Sequence, residues 1–185
     1  ASESFCEVAW LSAVFLPAED GIRDYDLPGF QTCALPIFPD TIYVNLACSS
    51  CRAGAPLGEG PVIRVGDRRW IFDAGVTGAL CACAEKLTRT QRGFNVQRRL
   101  MDGGVCEATP LSRSGRVTGA VALPLDNYHN HGGDRLQPEA VHLGDAENLV
   151  ALLTQLALQP QGAAAFVDDS VSALDHMLAA RRKPQ

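Results

Sequence analysis

The chain has 185 residues, of which 46% are hydrophobic and 20% are charged, a balance typical of one globular domain rather than a disordered chain. Its formal net charge of −5 gives no electrostatic basis for binding nucleic acid. No apolar run is long enough to span a membrane, and acidic rather than basic residues precede the apolar stretch at 8–16. Neither a membrane span nor a signal peptide is therefore predicted.

Residues 18–37, AEDGIRDYDLPGFQTCALPI, follow neither helical nor strand periodicity. The heptapeptides AEDGIRD and QTCALPI, in this order and at this spacing, resemble the translation of a sequencing-library adapter. Tyr25 and Asp26 lie where the sample index would be translated, and of residues 27–30 only Gly29 agrees with the usual adapter translation. We therefore predict a separate N-terminal piece at 1–17, an adapter-derived artefact at 18–37 and a folded part at 38–185. The alternative is a genuine acidic loop.

The remaining chain alternates between strand and helix patterns. Short β-rich runs predict strands at 41–47, 61–65, 69–72, 94–100 and 117–123, with a turn at 66–67. Helices are predicted at 75–87 after an Asp73 cap, from Cys106 onward, after an Asp145 cap as far as Pro160 and Gly162, and at 166–182. This alternation indicates an α/β layer fold.

The cysteines give a weaker signal. Cys48 and Cys51 form a C-x-x-C pair, which can be a redox pair or half of a zinc site. The glycine- and proline-rich sequence that follows does not favour the helix that a redox pair would begin, so a structural role is the alternative. Cys81 and Cys83 are predicted to fill the core as small side chains.

Two polar loops are candidate sites. The first, DNYHNHGG at 126–133, follows a buried strand, and it offers His129 and His131 as metal ligands or bases; a solvated loop is the alternative. The second, at 100–109, contains Gly103, Gly104 and Glu107, and paired glycines let a ligand approach the backbone. A tight strand–helix connection is its alternative. Cys106 with His129 could form a nucleophile pair, although a small buried thiol fits the sequence better.

Five motifs occur in a characteristic order. They are GPVIRVGD at 60–67, IFD at 71–73, QRRLMDGGVCEAT at 97–109, ALPLDNYH at 122–129 and VHLGDAENLV at 141–150. Together they resemble the C-terminal half of the catalytic domain of co-catalytic metal-dependent aminopeptidases, the tetrahedral or glutamyl aminopeptidase type, which includes cellulase-like members. The resemblance covers residues 38–158.

The resemblance implies a three-layer α/β/α sandwich of the zinc-peptidase type, of which residues 38–185 would be the C-terminal part. It also implies hydrolysis of N-terminal residues from a peptide substrate by water that two divalent metal ions, zinc or cobalt, activate. A cytoplasmic protein and a homo-oligomer are further implications. The inserted domain through which the family assembles is not visible in this sequence, so the oligomeric state stays open.

Site residues can be carried over individually from the resemblance. His129 matches the last metal-binding histidine, whereas His131 has no counterpart. Gly103, Gly104 and Glu107 match the loop beside the substrate. Asn45 occupies the place of a metal-binding aspartate, and an amide is a poor zinc ligand.

The other metal ligands and the glutamate base of the family belong before residue 38, and residues 1–17 contain none of them. We therefore predict that the gene encodes a metal-dependent aminopeptidase and that this polypeptide alone is inactive. The alternative is a metal-free binding or structural module of the same fold, in which Asn45 reflects loss of a metal.

Overall fold

The computed structural model describes residues 42–51 and 54–158. The segments predicted at 1–17 and 18–37, the helix end at Pro160 and Gly162, and the helix at 166–182 lie outside the described residues. Within the described part, no helix is both long and apolar enough to cross a membrane.

Strands and helices alternate along the described chain from residue 62 onward, which confirms the predicted α/β class. One 3₁₀ turn, Tyr128–Asn130, lies between the last strand and the last helix. The elements are β1 (Tyr43–Ser50), β2 (Val62–Asp67), α1 (Ala74–Thr90), β3 (Gln97–Met101), α2 (Ala108–Arg113), β4 (Thr118–Leu125) and α3 (Leu143–Ala157).

The four strands form one mixed sheet in the order β1-β4-β2-β3. Strands β1 and β4 are parallel, as are β2 and β3, whereas β2 and β4 are antiparallel. Ser50 is aligned with Leu125, so β1 and β4 end at the same edge of the sheet. We call this the carboxyl edge; strands β2 and β3 end at the opposite edge.

Helices cover both faces of the sheet. On one face, α1 and α3 bury the main core, in which Ile63 and Val121 from the sheet contact Leu80 and Leu152 from the helices. On the other face, a smaller apolar cluster beside α2 contains Phe72, Cys106, Ala108 and Ala120. The described residues thus form part of a three-layer α/β/α domain.

The strand predicted at 69–72 is wrong, and the turn predicted at 66–67 lies inside β2. Only one isolated bridge joins Gly66 to Ile71. The Asp67 carboxylate instead accepts hydrogen bonds from the backbone N–H groups of Arg69 and Trp70, at 2.9 and 3.1 Å. The Asp67 N–H also donates to the Trp70 carbonyl at 2.8 Å, so residues 67–70 form a turn that occupies the start of the predicted strand.

The two predicted helix caps have different outcomes. Asp73 caps α1 as predicted, because its Oδ1 accepts from the Val76 N–H at 2.9 Å. The Asp145 cap is wrong, since α3 begins at Leu143 and Asp145 lies in its first turn. The buried Asp145 carboxylate instead accepts from the N–H groups of Gly58 and Gly60, at 2.9 and 2.8 Å.

Candidate active site

The polar loop predicted after the buried strand lies at the carboxyl edge. There, the Cys51 thiol donates to Asp126 Oδ1 at 3.4 Å, which connects the segments that follow β1 and β4. The 3₁₀ turn that carries His129 begins two residues later, at Tyr128. Polar side chains are thus concentrated where two parallel strands end, a common position for sites in α/β proteins.

The backbone around His129 has an unusual conformation. Asn127, His129 and Asn130 have φ values of 49°, 59° and 60°, in the left-handed region that non-glycine residues rarely occupy. Hydrogen bonds to the returning chain hold this turn: Asn127 Nδ2 donates to the Pro138 carbonyl at 2.9 Å, and the His129 N–H donates to Glu139 Oε1 at 2.8 Å. Backbone strain of this kind is concentrated at functional sites.

The side chains of Tyr128 and His129 contact each other at the surface. Their rings meet edge to face, with centroids 4.2 Å apart and an interplanar angle of 84°. Partial burial raises the pKa of Tyr128, Arg64 opposes that rise, and nearby Cys48 and carboxylates, including Glu107, add to it. Tyr128 therefore lies within electrostatic reach of a buried cation and of the Glu107 carboxylate.

Asn45 and Glu107 lie together on the face of the sheet that carries α2. Asn45 Nδ2 donates to Glu107 Oε2 at 3.5 Å, although the two residues are 62 positions apart. Asn45 is aligned with Ala120, five residues before the carboxyl edge. At about 3.3 Å per residue this is about 16 Å along the strand.

The described residues do not form a metal site by themselves. Among them, no group of three or more His, Cys, Asp or Glu side chains could hold a metal ion. Asn45 binds Glu107 through its amide nitrogen, and nitrogen of an amide is not a zinc ligand. The assignment of His129 and Asn45 to metals therefore stays a prediction, and no catalytic step can be derived through a metal from these residues.

The glycine loop after β3 has room at both glycines. A Cβ added to Gly103 would meet no atom within 4 Å, and one added to Gly104 would meet only Met101 Cε at 3.8 Å. Neither residue has a positive φ. Neither local packing nor backbone conformation requires glycine at these positions, and their assignment to the substrate loop stays a prediction.

Cys106 does not have the properties of an activated nucleophile. It is buried in the cluster beside α2, and burial raises the pKa of its thiol. Burial likewise raises the pKa of Cys48. A thiol with a raised pKa is largely protonated at neutral pH and reacts slowly. This favours the small buried thiol over the nucleophile pair with His129.

Three residues of this region did not emerge from the sequence. Nothing in the motif ALPLDNYH marks Tyr128 as a site residue, and Glu139 is ten residues from the His129 N–H that it binds. Arg64 is 1% exposed in the centre of an apolar strand. A charged residue inside the run PVIRV was the one available signal, because charges are rarely buried without a partner.

Replacing Glu139 by alanine should loosen the turn that carries His129. The substitution removes the acceptor of the His129 N–H, so exchange of that amide hydrogen should become about fivefold to tenfold faster, as the net worth of one hydrogen bond predicts. Amide hydrogen exchange measured by NMR tests this. Glu139→Gln keeps a carbonyl acceptor and should exchange at nearly the wild-type rate. Equal exchange in the alanine variant and the wild type would show that Glu139 does not hold the turn.

The residues of this candidate site lie within a stretch of sequence that matches a known protein family. The model of the M42 glutamyl aminopeptidase family matches residues 40–152, which is more than half of the chain. The chain belongs to the M42 family. The match contains the Asn45–Glu107 contact, the glycine loop and the turn with His129. No curated protein matches the chain.

Solved structures of archaeal peptidases resemble the chain in part. The TET aminopeptidase of a Thaumarchaeota archaeon from marine sediment is 19% identical, with a TM-score of 0.51 over 68% of this chain and 35% of that one. An aminopeptidase from Desulfurococcus kamchatkensis is 21% identical, with a TM-score of 0.50 over 68% and 36%. At these identities the likeness concerns the fold alone.

A third structure is the TET1 peptidase of Pyrococcus horikoshii, which is described as assembling into a tetrahedron or a large octahedral shell. It is 29% identical, with a TM-score of 0.46 over 63% of this chain and 32% of that one. The chain thus spans about a third of the length of the solved structures it resembles.

Proposed function

We propose that the gene behind this chain encodes a metal-dependent aminopeptidase that removes N-terminal residues from peptides. The 185-residue polypeptide alone is inactive in this proposal. The aminopeptidase assignment is supported by the match to the M42 family over residues 40–152, a range that includes the polar turn at the carboxyl edge. Two divalent metal ions, zinc or cobalt, would supply an activated water in the intact protein.

The chain contributes part of such a site in this proposal. The His129 imidazole serves as a metal ligand, and Asn45 occupies the place of a second, acidic ligand. Gly103, Gly104 and Glu107 lie against the substrate. Support comes from the left-handed turn that exposes His129 and from the open space at both glycines. Because the described residues form no metal cluster, the remaining ligands and the base must come from elsewhere in the intact protein.

One observation favours the alternative, a metal-free module of the same fold. The Asn45 amide donates a hydrogen bond to Glu107. An ionised aspartate at position 45 could not donate, and it would place a second negative charge beside Glu107. The amide thus suits a site without a cation.

Calorimetric zinc titration of the intact gene product and of its Asn45→Asp variant separates the two functions. The module predicts that neither protein binds zinc. The peptidase predicts that Asn45→Asp binds zinc more tightly than the wild type does, because a carboxylate replaces an amide beside Glu107. Equal, undetectable binding by both proteins would count against the metal-ligand assignment of position 45.

Gly104→Ala should leave the stability of the chain within about 0.5 kcal/mol of the wild type, as expected for a substitution into open space. Gly119→Ala is the matched control, because its added Cβ would lie 2.5 Å from Val76 Cγ1 in the core. That overpacking should cost about 1–3 kcal/mol. Urea denaturation measures both. A large loss in Gly104→Ala would give the glycine a structural role and remove its support for the substrate assignment.

The proposal also includes homo-oligomeric assembly of the intact protein and a cytoplasmic location. Both follow from the sequence resemblance. Light scattering on the intact gene product would give its mass, and a monomer would contradict the first of them.

A further inference from the structure

Helix α3 has a second apolar stripe besides the face that packs on the sheet. The buried face consists of Asp145, Asn148 and Leu152. At 3.6 residues per turn, a further apolar set lies roughly 150° around the helix from that face. Its members alternate at intervals of three and four positions, and we call them the outer stripe: Leu143, Ala146, Val150, Leu153 and Ala157.

Much of the outer stripe is open to water. Leu143 is 73% exposed, Val150 is 65% exposed, and no member of the stripe is fully buried. Leu158, directly after the helix, is 74% exposed. Apolar side chains at alternating intervals of three and four positions are the pattern by which one helix packs along another. The outer stripe is therefore a helix-packing face that the described part of the chain leaves largely uncovered.

The sequence after α3 contains a matching pattern. Residues 166–182, the predicted last helix, follow the stretch that the family model matches. Four of their apolar residues recur at intervals of four, three and four positions, on one side of a helix: Val167, Val171, Leu174 and Leu178. The side that contains Asp168, Ser172 and Asp175 is polar. A helix of this kind needs an apolar surface to cover, because its polar side alone suits water.

Length and charge fit an antiparallel pair of helices. The connection at 159–165 has seven residues, within the two to eight that usually join neighbouring helices. At 1.5 Å per residue, α3 is about 22 Å long and residues 166–182 would be about 25 Å long. An antiparallel arrangement brings the basic end of the segment, Arg181 and Arg182, to the first turns of α3, where Glu147 is exposed.

A second copy of the chain fits the outer stripe less well. A stripe about 22 Å long and about 10 Å wide offers a few hundred Å². A stable complex buries about 800 Å² on each partner. A segment that is already joined to the end of α3 needs much less area, because the short connection holds it close to the stripe.

We propose that residues 166–182 fold back along α3 in the antiparallel direction and cover the outer stripe. The stripe is thus a docking surface within one chain, and its partner is the C-terminal segment of the same chain. Val167, Val171, Leu174 and Leu178 face the stripe, and the acidic side of the segment faces water. The inference does not depend on the proposed peptidase function.

Photocrosslinking identifies what covers the stripe. In the full 185-residue chain, the photoreactive residue p-benzoylphenylalanine replaces Val150, whose exposure tolerates the larger ring. Asp168 lies between α3 and most of the segment, so cleavage before aspartates separates the probe from residues 169–185 and mass spectrometry locates the crosslink. A mixture of ¹⁵N-labelled and unlabelled chains distinguishes crosslinks within a chain from crosslinks between chains.

The expected result is a crosslink within one chain, from position 150 to residues 169–182. The same probe at Arg113, exposed on α2 at the other face of the sheet, should give none to that segment. Leu174→Asp should lower the crosslink yield at least about fivefold, because burying an unpaired carboxylate in an apolar contact is costly. Ala179→Asp is the matched control on the polar side and should stay within about twofold of the parent yield.

Three results would overturn the proposal: crosslinks from position 150 to a second copy, crosslinks to residues 1–41, or no crosslink at all. A yield that Leu174→Asp leaves unchanged would also contradict it, since Leu174 would then not face the stripe. The crosslink is first measured without Leu174→Asp, so the test stands even where that variant fails to fold.

Discussion

Replacing Asp67 by alanine is expected to destabilise the chain by about 3–5 kcal/mol, because several backbone donors lose their acceptor at once. Oδ1 accepts from the N–H groups of Arg69 and Trp70. Oδ2 accepts from the Cys106 N–H at 2.9 Å and from the Thr109 hydroxyl. Asp67 is 4% exposed, so water replaces these contacts poorly.

Two further variants define the origin of that loss. Asp67→Asn keeps the shape but retains one acceptor oxygen, so it should lose an intermediate amount. Asp73→Ala removes a cap that serves a single N–H, and it should cost about 1 kcal/mol. Urea denaturation with an unchanged m-value measures all three. A loss in Asp67→Ala no larger than in Asp73→Ala would show that the carboxylate does not organise the glycine loop.

Gly60→Ala is expected to have a comparable or larger effect, about 4 kcal/mol or more. Gly60 has a φ of +89°, and an added Cβ would overlap the Asn95 carbonyl group and lie 2.7 Å from Val96 N. Both obstacles are backbone atoms, which cannot turn aside. The same glycine donates to the buried Asp145 carboxylate, so any shift of its backbone also disturbs that contact.

Gly93→Ala separates backbone strain from steric overlap. Gly93 has a φ of +84°, and its added Cβ would meet no atom within 4 Å. Only the strain of the left-handed conformation remains, about 1–2 kcal/mol. Thermal or urea denaturation compares the two variants. Equal losses would mean that the close approach between Gly60 and Asn95 does not constrain the fold.

Local sequence signals predicted the features that depend on neighbouring residues. Asp73 lies directly before α1, and its side chain binds a donor three residues later, so the cap was visible in the sequence. The same reasoning failed for Asp145, whose partners Gly58 and Gly60 are 87 and 85 positions away. Asp145 is a residue type that often caps helices, but here it makes a long-range contact. Short-range sequence patterns carry no information about such contacts.

The topology of the sheet was also beyond local reasoning. Continuous apolar runs predicted β2 and β4, yet nothing in them indicates that the two strands are antiparallel inside a partly parallel sheet. The contact between Asn45 and Glu107 depends on that arrangement. The motifs identified both residues separately, but only the fold brings them together. The burial of Arg64 and its Nη1 donor, which has no hydrogen-bond partner among the described residues, could not be predicted from the sequence either, because both are properties of the packed sheet.

Peptidase activity decides whether this chain is part of a metal-dependent aminopeptidase. The intact product of the resequenced source gene and the 185-residue chain are assayed side by side on aminoacyl anilides, with zinc or cobalt and then with a chelator. We expect chelator-sensitive hydrolysis by the intact product and none by the chain. Hydrolysis by the 185-residue chain itself, or an intact product that neither binds metal nor cleaves any aminoacyl anilide, would contradict it.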